Sequence, residues 1–416
     1  MPYQDQNASK VGHIDILRYL EREELEHLQA PIVTPDTALQ FIQAVPAGVF
    51  PNVCAVDSGP VTAASDVPPY STLEIINSVS LDLKVKSLVD SNSPLDSPTS
   101  LLKYINDSMT RTVCVIPTRN LIEPGMSYQE TFRKKIYSFF INNPILIDTL
   151  QWLLFSDNKT VKVNCPYCGE AHKILSRKIS CAGCGEPIYI TDFLGFHEEL
   201  SDTSARQTAT NSVMKHVEIL LLFAKVKQLW EQDQDELHNY LFISDGPLYF
   251  AAPFNKLIPS IRKFLTYASG IGIPINLVGI EKTGMFVSYF DMIKSNVSPL
   301  SFSLLNDIFI RSEIQQMHRW EHPYGLNTHF GSKLFFKVDE KNQFVINIAI
   351  GRVIEEPKKD DFAYFDRILN TILVLKSNRY PSGIIPVELA HNYASISKYP
   401  GSTVLSRVTK EYLGWT

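Results

Sequence analysis

Three acidic residues lie where a carboxylate could bind a metal ion: Asp57 in AVDSG, Glu218 in VMKHVEILLLFAKV and Asp245 in LFISDGPL. Asp245 follows a short apolar run and precedes a glycine and a proline, so its carboxylate is expected at the end of a strand, fixed by a turn. Hard divalent cations prefer oxygen ligands, and two of them about 4 Å apart can activate a water molecule and stabilise a leaving oxygen. The three acids therefore predict a two-metal phosphodiesterase site for Mn²⁺ or Mg²⁺.

Two of these acids also have a purely structural interpretation. Asp-Gly is a common turn pair, so Asp245 could serve only as a turn former. Glu218 is a single acid among apolar neighbours, and it could project from the apolar face of its helix. Local spacing leaves both alternatives open.

Four of the six cysteines form two CxxC pairs, Cys165-Pro-Tyr-Cys168 and Cys181-Ala-Gly-Cys184, separated by 12 residues. Four thiolates at this spacing predict a closed tetrahedral zinc site, which leaves no position for water and is therefore structural. Disulfide pairing and thiol exchange are the weaker alternatives. His172 lies between the two pairs and is expected at the surface.

The elements that must position the acids can be predicted from hydrophobic periodicity. Asp57 is expected at the end of a strand, Glu218 within the longest helix, and Asp245 at the end of a second strand. A split at Asn143-Pro144 is expected between two helices within 127–155. Strands are predicted at 49–56, 73–85, 112–117, 241–244 and 275–280, a hairpin at 330–338 and 343–350, and helices at 12–29, 203–232, 258–268 and 362–375. Residues 89–100, rich in serine, proline and aspartate, are expected to form a loop. Pro386 and Glu388 are expected to precede a helix that carries His391.

This pattern predicts an α/β (α+β) protein: a mixed sheet of ribonuclease-H-like type flanked by helices, with an inserted helical and zinc-ribbon subdomain. Three strands after the first acid suggest the opening meander of such a sheet. We expect an N-terminal helical segment at 1–45, the first part of the core at 46–125, the inserted subdomain at 126–200, and the second part of the core with a C-terminal helix at 201–416.

The composition is that of an ordinary globular protein, with 416 residues, 44% hydrophobic and 20% charged. A net charge of −5 argues against a general nucleic-acid binder, although a nuclease needs basic residues along one groove only. No apolar run is long enough to span a membrane, and the N-terminus lacks a secretory pattern, so a cytoplasmic protein is expected. Cys54 and Cys114 lie in apolar runs, and buried free thiols beside a metal site favour a reducing compartment.

A set of short motifs resembles the NurA nucleases, which work with HerA-type DNA translocases. The resemblance comprises AVDSG, the glutamate-bearing helix, the strand ending in DGPL, VGIEKTG at 278–284, and P-x-x-x-A-H ending at His391. The motifs occur in the family's order across residues ~50 to 400. The sequence departs from the family at the tyrosine that precedes the late histidine by eight residues: that position is Gly383 here, and Tyr380 lies three residues earlier.

The resemblance implies manganese-dependent DNA cleavage by a homodimer, with a hexameric HerA-like ATPase feeding DNA to it in DNA end processing, repair or antiviral defence. By this resemblance Asp57 and Asp245 match the metal-binding aspartates, and Glu218 is the best match to the helix glutamate. His391 matches the late histidine, which could bind a metal or the scissile phosphate. Lys282 is a candidate phosphate contact, and Tyr380 a candidate substrate contact.

One functional alternative of a different class stays open at this stage. The chain could be a catalytically inactive zinc-ribbon adaptor that docks on a DNA translocase. The displaced tyrosine is the feature that supports this alternative. The N-terminal helix and the ribbon are the expected ATPase-facing elements. A zinc-ribbon transcription or RNA-processing factor is a weaker alternative because the chain has no basic stripe.

Overall fold

The computed structural model describes residues 39–415 apart from 90–97, 156–159, 199, 201–206, 318, 378, 380–381 and 397–400. The predicted helix at 12–29 and the candidate substrate residue Tyr380 therefore lie outside the described residues. Residues 39–416 form one compact unit. The domain boundaries expected within it stay predictions.

Strands make up one large sheet and two small hairpins. In chain order they are β1 (Ile42–Gln43), β2 (Asn52–Ala64), β3 (Thr72–Lys84), β4 (Met109–Arg119), β5 (Val161–Asn164), β6 (Ala171–Ile174), β7 (Lys178–Ser180), β8 (Pro187–Tyr189), β9 (Tyr240–Asp245), β10 (Leu277–Glu281), β11 (Ser301–Leu304), β12 (Gly331–Lys337) and β13 (Gln343–Ala349).

Helices cover the faces of the large sheet. They are α1 (Val85–Val89), α2 (Pro98–Asp107), α3 (Tyr128–Ile141), α4 (Pro144–Phe155), α5 (Gln207–Gln232), α6 (Ile258–Gly270), α7 (Met285–Ile293), α8 (Asp307–Phe309), α9 (Phe365–Leu375), α10 (Ile385–Ala394) and α11 (Thr403–Leu413). Short 3₁₀ turns follow β8, α5 and α7 and precede α9, and a π-helical turn continues α8.

The large sheet has nine strands in the order β1-β11-β12-β13-β10-β9-β2-β3-β4. Strands β2, β3 and β4 form an antiparallel meander, β9 runs parallel to β2, and β10 runs parallel to β9. The large sheet is therefore mixed and flanked by helices, so the expected α/β fold class is confirmed. Strands β13, β12 and β11 extend it in antiparallel fashion.

Apolar side chains of the sheet alternate between two cores, as the two-residue period of a strand requires. In β2, Cys54 and Val56 pack with α3 to α6, whereas Val53 and Ala55 pack with α9 and α10. Strand β9 alternates in the same way, with Phe242 in the first core and its neighbours in the second. Every side chain at the site can therefore be assigned to one of two faces, which we call the α5 face and the α10 face.

Local sequence explains where the helices that border the ribbon begin and end. Helix α3 starts at a capping box in which the Ser127 hydroxyl accepts from the Glu130 amide and the Glu130 carboxylate accepts from the Ser127 amide. Helix α4 begins with Pro144, a residue suited to the first helical position. The expected break at Asn143-Pro144 is confirmed.

Three expectations about element boundaries are wrong. Strand β2 does not end at AVDSG but continues to Ala64. Residues 98–100, expected in a loop, begin helix α2. Pro386 and Glu388 do not precede the helix that carries His391 but lie in its first turn.

Candidate functional site

Asp57 lies inside strand β2, at the point where the strand loses one of its two neighbours. Strand β9 pairs with β2 only over Asn52–Val56, whereas β3 pairs with it along its whole length. Asp57 is thus the first residue beyond the parallel pairing, at the carboxyl end of β9. It is buried, and its Oδ1 accepts from the Ser58 amide at 2.8 Å. Alternation along β2 places its side chain on the α10 face.

Asp245 is the last residue of β9, and the chain turns immediately after it. Gly246 has φ +80° and donates its amide to the Ile280 carbonyl at 2.8 Å, folding the turn back over β10. A Cβ on Gly279 would lie 2.5 Å from the Gly246 carbonyl oxygen, so only glycine allows this approach. The Asp245 carboxylate contacts the Lys282 ammonium, Oδ2 to Nζ, at 2.8 Å.

His391 reaches the two aspartates from helix α10. The C-terminal end of this helix is tied to the sheet by Asn77 of β3, whose Nδ2 donates to the Ala394 carbonyl at 2.7 Å. A Cβ on Gly59 would lie 2.7 Å from the same carbonyl oxygen, so the helix packs directly on β2. As a result the His391 Nδ1 lies 2.7 Å from the Asp57 Oδ2.

Asp57, Asp245 and His391 therefore converge: one ligand atom from each lies within 4.8 Å of the others. Two carboxylates and an imidazole form a donor set suited to Mn²⁺, and to Mg²⁺ when water completes the coordination. Burial raises the pKa of Asp57, and the neighbouring Asp245 carboxylate raises it further, against the opposing effects of the Ser58 amide and His391. A cation between the carboxylates would relieve this repulsion, so the residues fit a divalent metal ion.

Glu218 lies beside this cluster but on the other face of the sheet. It is buried on α5, and its carboxylate contacts the Lys215 ammonium at 3.3 Å and interacts with the Ser58 hydroxyl. Burial raises the pKa of Glu218 to about 7; Lys215 opposes the shift, and Asp57 and Asp245 add to it. The structure therefore brings the predicted glutamate within electrostatic reach of both aspartates without making it a member of the three-residue group.

The shifted pKa of Glu218 predicts a pH dependence of folding stability in protein without added divalent ions. Because the pKa is about 7 in the folded state and 4.5 ordinarily, this group's stabilisation is full below pH 4.5 and is lost as pH rises through 7. Relative to Glu218→Gln, the wild type should lose about 2 to 3 kcal/mol of unfolding free energy between pH 5 and pH 8. Urea unfolding of both proteins at the two pH values measures it.

The control for this prediction is Glu231→Gln, which changes a half-exposed glutamate on the same helix. Its stability relative to the wild type should stay within a few tenths of a kcal/mol at both pH values, as for other surface changes. If Glu218→Gln behaves like this control, the carboxyl of Glu218 is ionised in the folded protein near neutral pH.

The remaining predicted site residues have different positions. Lys282 follows β10 and is partly exposed, with its ammonium on Asp245. Its use as a phosphate contact stays a prediction. Lys215 was missed as a site residue, although it lies three residues before Glu218, a spacing that places both on one helical face. Nothing in the local sequence marks Asn77, since its role depends on the packing of a helix more than 300 residues away in the chain.

The four cysteines form the second cluster, in the two small hairpins. Cys165 follows β5 and Cys181 follows β7, and the four Sγ atoms lie within 4.8 Å of one another. The closest pairs are 3.5 and 3.6 Å apart, which excludes disulfide bonds in this arrangement. All four thiols converge on one point, as a tetrahedral zinc ion requires.

The two knuckles repeat one backbone pattern. Gly169 and Gly185 both have φ +78°, and each donates its amide to the carbonyl of the first cysteine of its knuckle at 2.9 Å. His172 is not the surface residue that was expected: its side chain is 12% exposed, and its Nε2 lies 3.2 Å from the Cys181 Sγ. His172 lies on strand β6, where it pairs with Val163 of β5.

A buried ion pair fastens the ribbon to helix α3. Arg133 donates through Nε and Nη2 to the two oxygens of Asp192, at 2.9 and 2.7 Å, and both side chains are almost fully buried. The same guanidinium donates to the Pro187 carbonyl of β8. Such a bidentate pair fixes orientation, so the ribbon is held rigidly against the helical layer.

Residues 139–202 match a protein family described as a zinc-ribbon containing domain. This segment contains all four clustered cysteines, so the prediction of a structural zinc site is confirmed for this part of the chain. No curated protein matches the sequence. Among the described residues, no helix is both long and apolar enough to cross a membrane.

Proposed function

We propose that the protein is a metal-dependent deoxyribonuclease. The observation that carries this proposal is the convergence of Asp57, Asp245 and His391 at the carboxyl end of β9, where its parallel pairing with β2 stops. In open α/β sheets this edge is where ligands bind. The resemblance of AVDSG, DGPL and the late A-H motif to the NurA nucleases supports DNA as the substrate.

In this proposal the carboxylates of Asp57 and Asp245 hold the ion, with the imidazole of His391 beside them. When bound, Mn²⁺ or Mg²⁺ supplies Lewis-acid chemistry and lowers the pKa of a water molecule. Asn77 holds the end of the helix that carries His391. The Ser58 amide donates to the Asp57 carboxylate and orients it. Lys282 is a partly exposed cation in contact with the Asp245 carboxylate, and it is suited to a DNA phosphate.

The partners follow from the family resemblance and belong to the proposal as well. A homodimer would present two such sites, and a hexameric HerA-like translocase would deliver DNA to them during end processing or antiviral defence. The zinc ribbon, which is fastened rigidly to α3, is suited to a docking role because its four cysteines leave no open position for catalysis.

Degradation of end-labelled duplex and single-stranded DNA by the purified, zinc-loaded protein tests the proposal. With millimolar Mn²⁺ we expect cleavage, and with Mn²⁺ omitted we expect none, alone or with the cognate ATPase. No cleavage in any combination would contradict the nuclease and favour the alternative, an inactive zinc-ribbon adaptor. The zinc-ribbon match is the observation that favours this alternative.

A further inference from the structure

We propose that the site holds a single divalent cation and that the ammonium of Lys215 takes the place of a second metal ion. The inference rests on the proposed metal-dependent function and replaces the two-ion expectation drawn from the three acids. It assigns Lys215, a residue on the helix before β9, to the site.

The ammonium of Lys215 lies beside the Glu218 carboxylate and has three oxygen contacts. Its Nζ is 2.8 Å from the Ser244 Oγ, 2.8 Å from the Asp245 carbonyl oxygen and 3.3 Å from the Glu218 Oε2. Three oxygen acceptors match the three donors of an ammonium. The ammonium is therefore anchored by three oxygens, one of which is the backbone carbonyl of Asp245.

The sheet separates this ammonium from the proposed ion. Ser58 and Ser244 belong to the α5 face by alternation from Val56 and Phe242, and Lys215 and Glu218 meet them there. Asp57 and Asp245 belong to the α10 face, where His391 completes the group of three. Among the described residues that group does not include Glu218, whose carboxylate is engaged with Lys215.

A second ion would need Glu218 as a ligand, because this is the remaining acid beside the two aspartates. It would then lie next to the Lys215 ammonium, whose side chain is 19% exposed and which contacts three oxygen acceptors. Repulsion between like charges a few ångströms apart is screened only in part at a mostly buried carboxylate such as Glu218, so the second ion is disfavoured while Lys215 is charged. One divalent ion on the α10 face and one ammonium on the α5 face would together balance the charges of the three carboxylates of Asp57, Asp245 and Glu218.

Counting bound Mn²⁺ in the zinc-loaded protein tests this inference independently of cleavage. Isothermal titration should give one Mn²⁺ per wild-type chain, and low-temperature electron paramagnetic resonance should show an uncoupled ion. Lys215→Met, which keeps the length of the side chain but removes its charge, should bind a second Mn²⁺ with spin coupling to the first. Lys215→Arg, which keeps the charge, should bind one.

The matched control is Lys227→Met on the same helix, where the ammonium pairs with Glu231 at a distance from the acids. It should retain one ion.

Two coupled ions in the wild type would overturn the inference and leave the proposed nuclease function intact. A single ion in folded Lys215→Met would show that Lys215 does not exclude the second ion. If Lys215→Met does not fold, the wild-type spectrum alone decides between one uncoupled ion and two coupled ions. No binding by the wild type would overturn both this inference and the proposed metal site, whereas one ion without any cleavage would contradict the function alone.

Discussion

Replacement of Asp245 by asparagine is expected to lower manganese-dependent DNA cleavage by at least about 10³-fold, because stabilisation by a bound cation amounts to several kcal/mol. The substitution keeps the shape of the side chain and removes its charge, so the proposed ion loses one of two carboxylates. The rate of release of end label from DNA at saturating Mn²⁺ measures the effect. The fold should be retained, because the partner that loses its ion pair, Lys282, is partly exposed.

The matched control is Asp360→Asn, which makes the same change at an exposed aspartate in the 3₁₀ turn before α9. It should cleave at the wild-type rate. The circular dichroism spectra and thermal midpoints of both variants should match those of the wild type, which would show that any loss of cleavage is local. Cleavage by Asp245→Asn at the control rate would remove this aspartate from the chemistry and, with it, the proposed site.

Replacement of Cys181 by serine is expected to abolish stoichiometric zinc binding and to unfold the ribbon locally. Structural zinc contributes about 10 to 16 kcal/mol in small zinc domains, and these two hairpins are too short to be stable without the ion. Metal analysis of the purified protein should fall from one zinc per chain to almost none. Limited proteolysis should then cut between β5 and β8 while leaving the nine-stranded sheet resistant.

His172→Ala is the informative control, because this imidazole also lies against the Cys181 sulfur. With four cysteine ligands the variant should keep one zinc per chain. Loss of zinc from His172→Ala together with its retention in Cys184→Ser would contradict the four-cysteine assignment and make the histidine a ligand.

Periodicity and turn residues predicted most elements of the sheet, but not the length of β2. Gly59-Pro60 after Asp57 is typical of a strand end, because proline cannot donate to a ladder. The strand continues because β9 ends beside Val56, so the later residues of β2 need partners only on the β3 side. Whether a proline is tolerated depends on where the neighbouring strand stops, which is a property of the tertiary structure.

The site shows the same division between local and tertiary information. The turn after Asp245, the glutamate on its helix and the cysteine knuckles are specified by nearby residues, and they could be identified from sequence. The face of the sheet on which each carboxylate lies could not be identified from sequence, because it depends on the register of β2 and β9 and on the docking of two helices. For that reason Glu218 was grouped with the aspartates, and the role of Lys215 as its partner was not recognised.

The continuous pairing of β2 with β3 has a mechanical consequence for the proposed metal site. Asp57 lies near the middle of a ladder of 13 residue pairs, so moving its Cα would require many hydrogen bonds to break together. Asp245 is the last residue of its strand, and His391 lies on a helix that is joined to β3 by hydrogen bonds from Asn77. In the proposed site we therefore expect any adjustment to a bound ion to come from the side chains of Asp245 and His391, with the backbone at Asp57 kept in place by its ladder.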